Sequence, residues 1–209
     1  MRLEDVRICV RHGVDIAGFV VDYPKPVPWN LSVQSAKELI SAASGSVETC
    51  VVTGGPPDKI LSLIAETHPD YVQLHSGETL ADTLRLAGEL GKSSVKIIKA
   101  LFPDTPDLEK TAVDFCEAGV FALLFDPRTP DNAAHGGEAD IAAYRRLQSA
   151  VSCPVILAGG LTPENVAELV LKTGAPIIDL MTGVETRPGA KDEAKVIALF
   201  EAVEKCAKL

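Results

Sequence analysis

"VRICV", Val6 to Val10, decides how this chain is read. A thiol among Val6, Ile8 and Val10 suits a strand that presents Cys9, and it suits one turn of a buried helix face equally well. Spacing separates the two. The next strand-like run starts at Ile16, leaving six residues after Cys9, whereas a parallel crossover needs roughly ten to twelve. The helical reading has its own signals. Leu3, Val6 and Val10 follow an i, i+3, i+7 stripe. Glu4 and Asp5 lie in a first turn, where the helix dipole favours carboxylates. Arg11 and His12 lie in a last turn, and Gly13 follows as a C-terminal cap. The sequence predicts a helix over residues 2–12, with Cys9 as a buried structural thiol.

Outward from this stretch the chain alternates. Short β-branched runs stand at 16–21 (IAGFVV), 48–53 (ETCVVT), 71–75 (YVQLH), 95–102 (VKIIKALF), 121–126 (FALLFD), 154–160 (PVILAGG) and 176–183 (PIIDLMTG). They are nearly continuously apolar, as strands covered on both faces should be. Helical stretches lie between them, several ending in Gly, and "DEAKVIALFEAVEKCAKL" closes the chain. A steady β–α–β–α order with short connections implies parallel strands and right-handed crossovers. No G-x-G-x-x-G opens a helix after a strand, which weighs against a doubly wound dinucleotide fold. The expected architecture is α/β, a TIM (β/α)8-type barrel in one domain over 1–209. It has seven strands and eight helices, beginning at helix one without strand one. The strands flanking that gap would expose unpaired edges. A homodimer, or another segment covering the gap, is therefore expected.

Composition narrows the class. Apolar residues make up 46% of the chain, ample for a core. The net charge is −9 with no Lys/Arg cluster, so nucleic acid is not an expected partner. Cys9, Cys50, Cys116, Cys153 and Cys206 are odd in number, widely spaced and free of any C-x-x-C pair. Neither a zinc site nor a disulfide framework is expected, and a reducing cytoplasm is the simplest setting. No signal-peptide core or membrane-spanning run stands out, so no membrane partner is expected.

In barrels of this kind the reacting groups come from the C-terminal ends of strands, and phosphate sites often form in the loops after the last two. "LAGGLTPENV" (157–166) places Gly159 and Gly160 after one strand, where backbone N–H groups can approach an anion. Thr162 and Pro163 are expected to open the following helix. "MTGVETRPGAKD" (181–192) offers Thr182 and Gly183 after the next strand. Asp126 ends an apolar run at the same face, and His75 ends "YVQLH". Lys99, in "IIKA", is expected to face the interior and pair with a carboxylate such as Asp179.

These motifs together resemble the phosphoribosylanthranilate isomerases of tryptophan biosynthesis. "LAGGLTPENV", "TGVETRPGAKD", "YVQLHSGE", "IIKA" and "LLFDPRTP" carry the likeness, which runs from Leu3 through nearly the whole chain. The resemblance implies a cofactor-free Amadori rearrangement of N-(5′-phosphoribosyl)anthranilate, a small phosphosugar, to the open-chain aminoketose. It implies an acid that opens the ribose ring, matching Asp126, and a base that removes the C2′ proton. The family's base is a Cys ending strand one. "RICV" has similar letters, but its spacing assigns it to the helix that follows that strand. Asp22, ending "GFVVD", is then the nearest candidate base. The family holds the anthranilate carboxylate with an Arg; here "DYPKPVPWNLS" offers Lys25, a point charge without bidentate geometry, and Trp29. Ser76 before Gly77 and Met181 before Thr182 are further departures. The alternative reading is a diverged phosphosugar-binding barrel of the same lineage, with another substrate or no catalysis.

Overall fold

The computed structural model describes residues 1–127 and 139–206. Arg128–Pro130 of the "LLFDPRTP" motif and residues 207–209 of the stretch expected to close the chain lie outside them. Residues 6–10 are helical, as the spacing requires. Helix α1 spans Leu3–Arg11, with Gly13 just beyond it at φ +67°. Its buried face is made by Asp5, Val6, Ile8 and Cys9, while Leu3 is 45% exposed. The expected Leu3–Val6–Val10 stripe is therefore rotated, because Ile8 and Cys9 pack inward.

Seven strands follow: β1 Ile16–Val20, β2 Glu48–Thr53, β3 Tyr71–Leu74, β4 Lys96–Leu101, β5 Ala122–Phe125, β6 Val155–Leu157 and β7 Ile177–Ile178. They form one sheet in sequence order, every described pairing parallel. Helices α2 (Val33–Ala43), α3 (Pro57–Thr67), α4 (Leu80–Leu90), α5 (Leu108–Glu117), α6 (Ile141–Ala150), α7 (Val166–Thr173) and α8 (Glu193–Cys206) alternate with them. Among the described residues, β1 and β7 each pair with one other strand, which leaves the seam expected from the sequence; only the end of the β1 edge is met, by a bridge from Leu31 to Val21. None of the described helices is long and apolar enough to cross a membrane.

Strand parity sorts the side chains. Ile97 and Leu101 point outward into the cluster under the helices, whereas Ile98, Ala100 and Phe102 point into the sheet's concave face with Cys50, Tyr71, Leu124 and Ile156. Helix α1 covers the seam from outside. Val6 packs with Phe19, Val21 and Ile40 on one side, and Ile8 packs with Val166, Val196 and Leu199 on the other. Arg11 and His12 both meet Glu193 at the start of α8.

Two features were not expected. Glu185–Arg187 (β8) and Ala190–Lys191 (β9) form a small antiparallel hairpin around Pro188 and Gly189, inside the stretch read only as a loop. Cys116, at the end of α5, and Cys153, just before β6, form a disulfide with Cα atoms 5.8 Å apart. This corrects the expectation that no disulfide is formed. The two lie 37 residues apart in the chain, and only the folded α5–β5–α6 unit brings them together.

Candidate functional site

The C-terminal ends of the strands gather the polar groups. Parity sends Gln73 and His75 of the β3 segment, Asp126 after β5 and Asp179 after β7 toward the concave face. Asp126 is 2% exposed, and its Oδ2 lies 3.4 Å from His75 Nε2. His75 is held on several sides. Gln73 Nε2 is 2.8 Å from its Nδ1. Phe102 meets the ring edge-on at 5.5 Å. Tyr23 donates its hydroxyl proton to the His75 carbonyl at 2.7 Å. An imidazole and a carboxylate in this relation can share a proton with a ligand lying above them.

The loops beside this pair are fixed from below. Glu78 is 6% exposed and accepts hydrogen bonds from the N–H groups of Gly55 and Ser76, each at 3.0 Å. Lys99 Nζ lies 3.0 Å from the same carboxylate and also donates to the Ser76 carbonyl. Burial pushes the Lys99 ammonium below its ordinary value, opposed by Glu78. The expected Lys99–Asp179 pair is thus replaced by Lys99–Glu78. Lys99 has the outward parity of Ile97 and Leu101, lies over the Phe115 ring, and cannot reach the interior. Gly54 belongs to this unit: a Cβ there would stand 2.5 Å from Ser76 Cβ and 2.7 Å from Glu78 Oε1. Glu78, Gln73 and Tyr23 were not singled out from sequence. Gln73 alone had a signal, its i, i+2 relation to His75.

Across the mouth lie the two glycine turns. Gly159 and Gly160 take φ +94° and +60°, in the left-handed region that favours glycine. Asn165 donates to the Gly160 carbonyl at 2.9 Å and accepts from Thr162 N–H at 2.8 Å. Helix α7 therefore starts at Val166, after this turn, and not at Thr162–Pro163. Gly183, inside a short 3-10 turn (Thr182–Val184), packs directly on the 161–162 backbone. A Cβ there would overlap the Leu161 carbonyl oxygen. The two loops form one layer, with the exposed Thr182 beside Gly183.

The seam side is looser. Asp22 follows β1 with φ +45°. Its carboxylate lies 3.2 Å from Lys59 of α3, and its side chain is 58% exposed. Leu31 accepts from Asp22 N–H and donates to the Val20 carbonyl. Trp29, half-buried in the same loop, has its Cβ 4.0 Å from where a Cβ on Gly189 would stand, at the hairpin tip. Lys25 reaches from this loop to the other side of the rim, where it lines a cavity of about 690 Å³ with Ser76, Lys99, Phe102 and Phe115. Cys9, on α1, is buried, and burial raises its thiol above the ordinary value.

A family model described as N-(5'phosphoribosyl)anthranilate (PRA) isomerase matches residues 2–202. A Halobacterium salinarum protein named N-(5'-phosphoribosyl)anthranilate isomerase is 36% identical over 199 residues, covering 93% of this chain and 88% of that protein. The phosphoribosyl anthranilate isomerase of Thermotoga maritima superposes with a TM-score of 0.83 at 26% identity, over 98% of this chain and 95% of that one. A structure of the enzyme in complex with reduced 1-(o-carboxyphenylamino)-1-deoxyribulose 5-phosphate gives 0.79 at 25% identity, over 98% and 94%. Fold, strand-end chemistry and sequence agree: the chain belongs to the N-(5′-phosphoribosyl)anthranilate isomerase family.

Proposed function

We propose that this isomerase converts N-(5′-phosphoribosyl)anthranilate to its aminoketose, with Asp126 as the acid. The observation that carries the reading is the pairing of buried Asp126 with half-buried His75, facing the same mouth as the layered 159–160 and 182–183 turns. Asp126 gives its proton to the ribose ring oxygen as the C1′–O bond breaks and the anilino nitrogen becomes an iminium. A base then takes the C2′ proton. The resulting enolamine collapses to the ketone as C1′ is protonated and the C2′ hydroxyl proton is released. Protons are only redistributed, so the reaction is an intramolecular aldose–ketose redox change and calls for no cofactor.

Gly159, Gly160, Thr182 and Gly183 are assigned to the phosphate, because two turns with accessible backbone N–H groups favour an oxyanion. Lys25 is assigned to the anthranilate carboxylate as the cation of the loop after β1, three residues beyond Asp22. Asp22 is the assigned base. Its left-handed backbone is a strain that functional positions tolerate, and Lys59 beside it sets its orientation. A dimer that covers the seam is the matching proposal for assembly. A sedimentation coefficient that stays monomeric up to high protein concentration would remove it.

A second reading, a phosphosugar binder without turnover, is favoured by two observations: Asp22 is engaged by Lys59, and Cys9 is buried on α1 with its thiol pushed up. Fluorescence of phosphoribosylanthranilate, generated in place and exposed to the purified protein, separates the two. Decay above background that is lost in Asp22→Asn supports the first reading with its base. Decay unchanged in Asp22→Asn keeps the isomerase and removes Asp22. No decay, with phosphate esters still bound, supports the second.

A further inference from the structure

Gln73 and His75 stand two residues apart on one strand segment, so both side chains face the same interior. Gln73 is 7% exposed. The imidazole plane is fixed by the Phe102 edge, and its backbone is fixed by the Tyr23 hydroxyl. A neutral imidazole has one N–H and one lone pair, and which nitrogen holds the proton is set by what the other meets. The Gln73 amide nitrogen lies 2.8 Å from Nδ1, and an amide NH₂ can meet a ring nitrogen only as a donor. The lone pair is then at Nδ1, and the proton is at Nε2, which faces Asp126 Oδ2 at 3.4 Å. The opposite tautomer would set a lone pair against a carboxylate oxygen in a buried site.

We propose that Gln73 is a positioning residue that fixes His75 as the Nε2–H tautomer, giving Asp126 a neutral hydrogen-bond donor. When Asp126 releases its proton it becomes a buried carboxylate, which the Nε2–H stabilises without His75 changing charge. The 3.4 Å separation is long for a resting hydrogen bond and can shorten when substrate fills the mouth. The catalytic consequence rests on the isomerase reading; the tautomer itself does not.

The test uses the full chain, labelled with ¹⁵N at histidine, and reads which ring nitrogen bears the proton. The His75 signals are assigned by their loss in His75→Asn. The expected wild-type state is Nε2–H. Gln73→Glu has nearly the same shape but can only accept, so His75 should become protonated at Nδ1. In that variant kcat should fall about 10- to 100-fold, with KM held within about twofold, as an effect confined to the transition state requires. Gln73→Met keeps the volume and removes both hydrogen-bonding roles, and should give mixed tautomers with an intermediate kcat. A wild-type Nδ1–H form, or an unchanged tautomer in Gln73→Glu, overturns the proposal. So does a kcat loss without a tautomer change, which would make Gln73 a packing residue. A wild-type protein that never consumes phosphoribosylanthranilate would sink the isomerase reading, while the spectra would still decide the tautomer.

Discussion

The rim has two unlike sides. From β2 to β5 it is closed by a buried ion pair and packed rings, beside the cavity that Ser76 and Phe102 line. Lys99 and Glu78 are both buried, the Glu78 carboxylate ties two loop N–H groups, and Asp126 lies in a wall of packed aromatic and amide groups. From β7 round to β1 it is open. Asp22 is exposed, Trp29 reaches toward Gly189, and α1 bridges the seam from outside, as the only described helix that packs toward both flanks of it. The contrast teaches where this chain has fixed its chemistry. In the proposed mechanism Asp126 is the proton donor, and the closed side holds it in place before substrate arrives. On the open side Asp22 itself is held by a largely solvent-facing ion pair with Lys59, which contributes little rigidity.

The comparison can be broken most forcefully at Glu78. Glu78→Leu leaves the Lys99 ammonium buried without its carboxylate and should cost about 3–5 kcal/mol, read as a drop in the urea midpoint. Glu78→Leu with Lys99→Met should recover much of that loss. If the single variant is neutral, the closed side is not held as described. Gly183→Ala comes next. Its Cβ overlaps the Leu161 carbonyl, and overpacking of this kind costs up to about 3 kcal/mol. Phosphate-ester binding should weaken with it; a variant of normal stability and affinity would detach the two glycine turns from each other.

The seam side has a pH signature. Burial pushes the Asp5 carboxyl up, but the Arg2 guanidinium and the N–H groups of Lys191 and Arg2 outweigh it, so the net shift is below the ordinary value. A lowered folded value means stability that is whole above about pH 4 and is lost as pH falls through the folded value. Hydrogen-exchange protection of α1 should therefore fall below about pH 4, by about 2 kcal/mol for a charged hydrogen-bonded group, and Asp5→Asn should flatten that dependence. An exchange profile that is flat there in the native chain would detach α1 from the β9 hairpin. The smallest effect is expected at the exposed Arg85–Asp58 pair between α4 and α3: Arg85→Ala should leave the midpoint unmoved.

Much of this was legible in the sequence. Strand order, the helical fate of Val6–Val10 and the missing pairing followed from period and spacing, because crossover length is a hard constraint. Asp126 and His75 were legible as polar residues ending apolar strands. Lys99 was misread because "IIKA" leaves its parity open; only the packing of Ile97 and Leu101 under the helices fixes it. Glu78 looked like an ordinary residue before a helix, since nothing in "HSGE" reveals that Lys99 lies beneath it. The β8–β9 hairpin was hidden in a stretch read for its glycines, although Pro188–Gly189 is a turn signal. The Cys116–Cys153 disulfide has no local signature at all.

The central claim, that the closed side carries the acid chemistry, is tested most directly by Asp126→Asn. The account predicts that decay of phosphoribosylanthranilate fluorescence slows by about 10²–10⁴-fold, while affinity for a phosphate ester at the 159–160 and 182–183 turns stays near that of the unaltered chain. Unchanged decay in Asp126→Asn would contradict it.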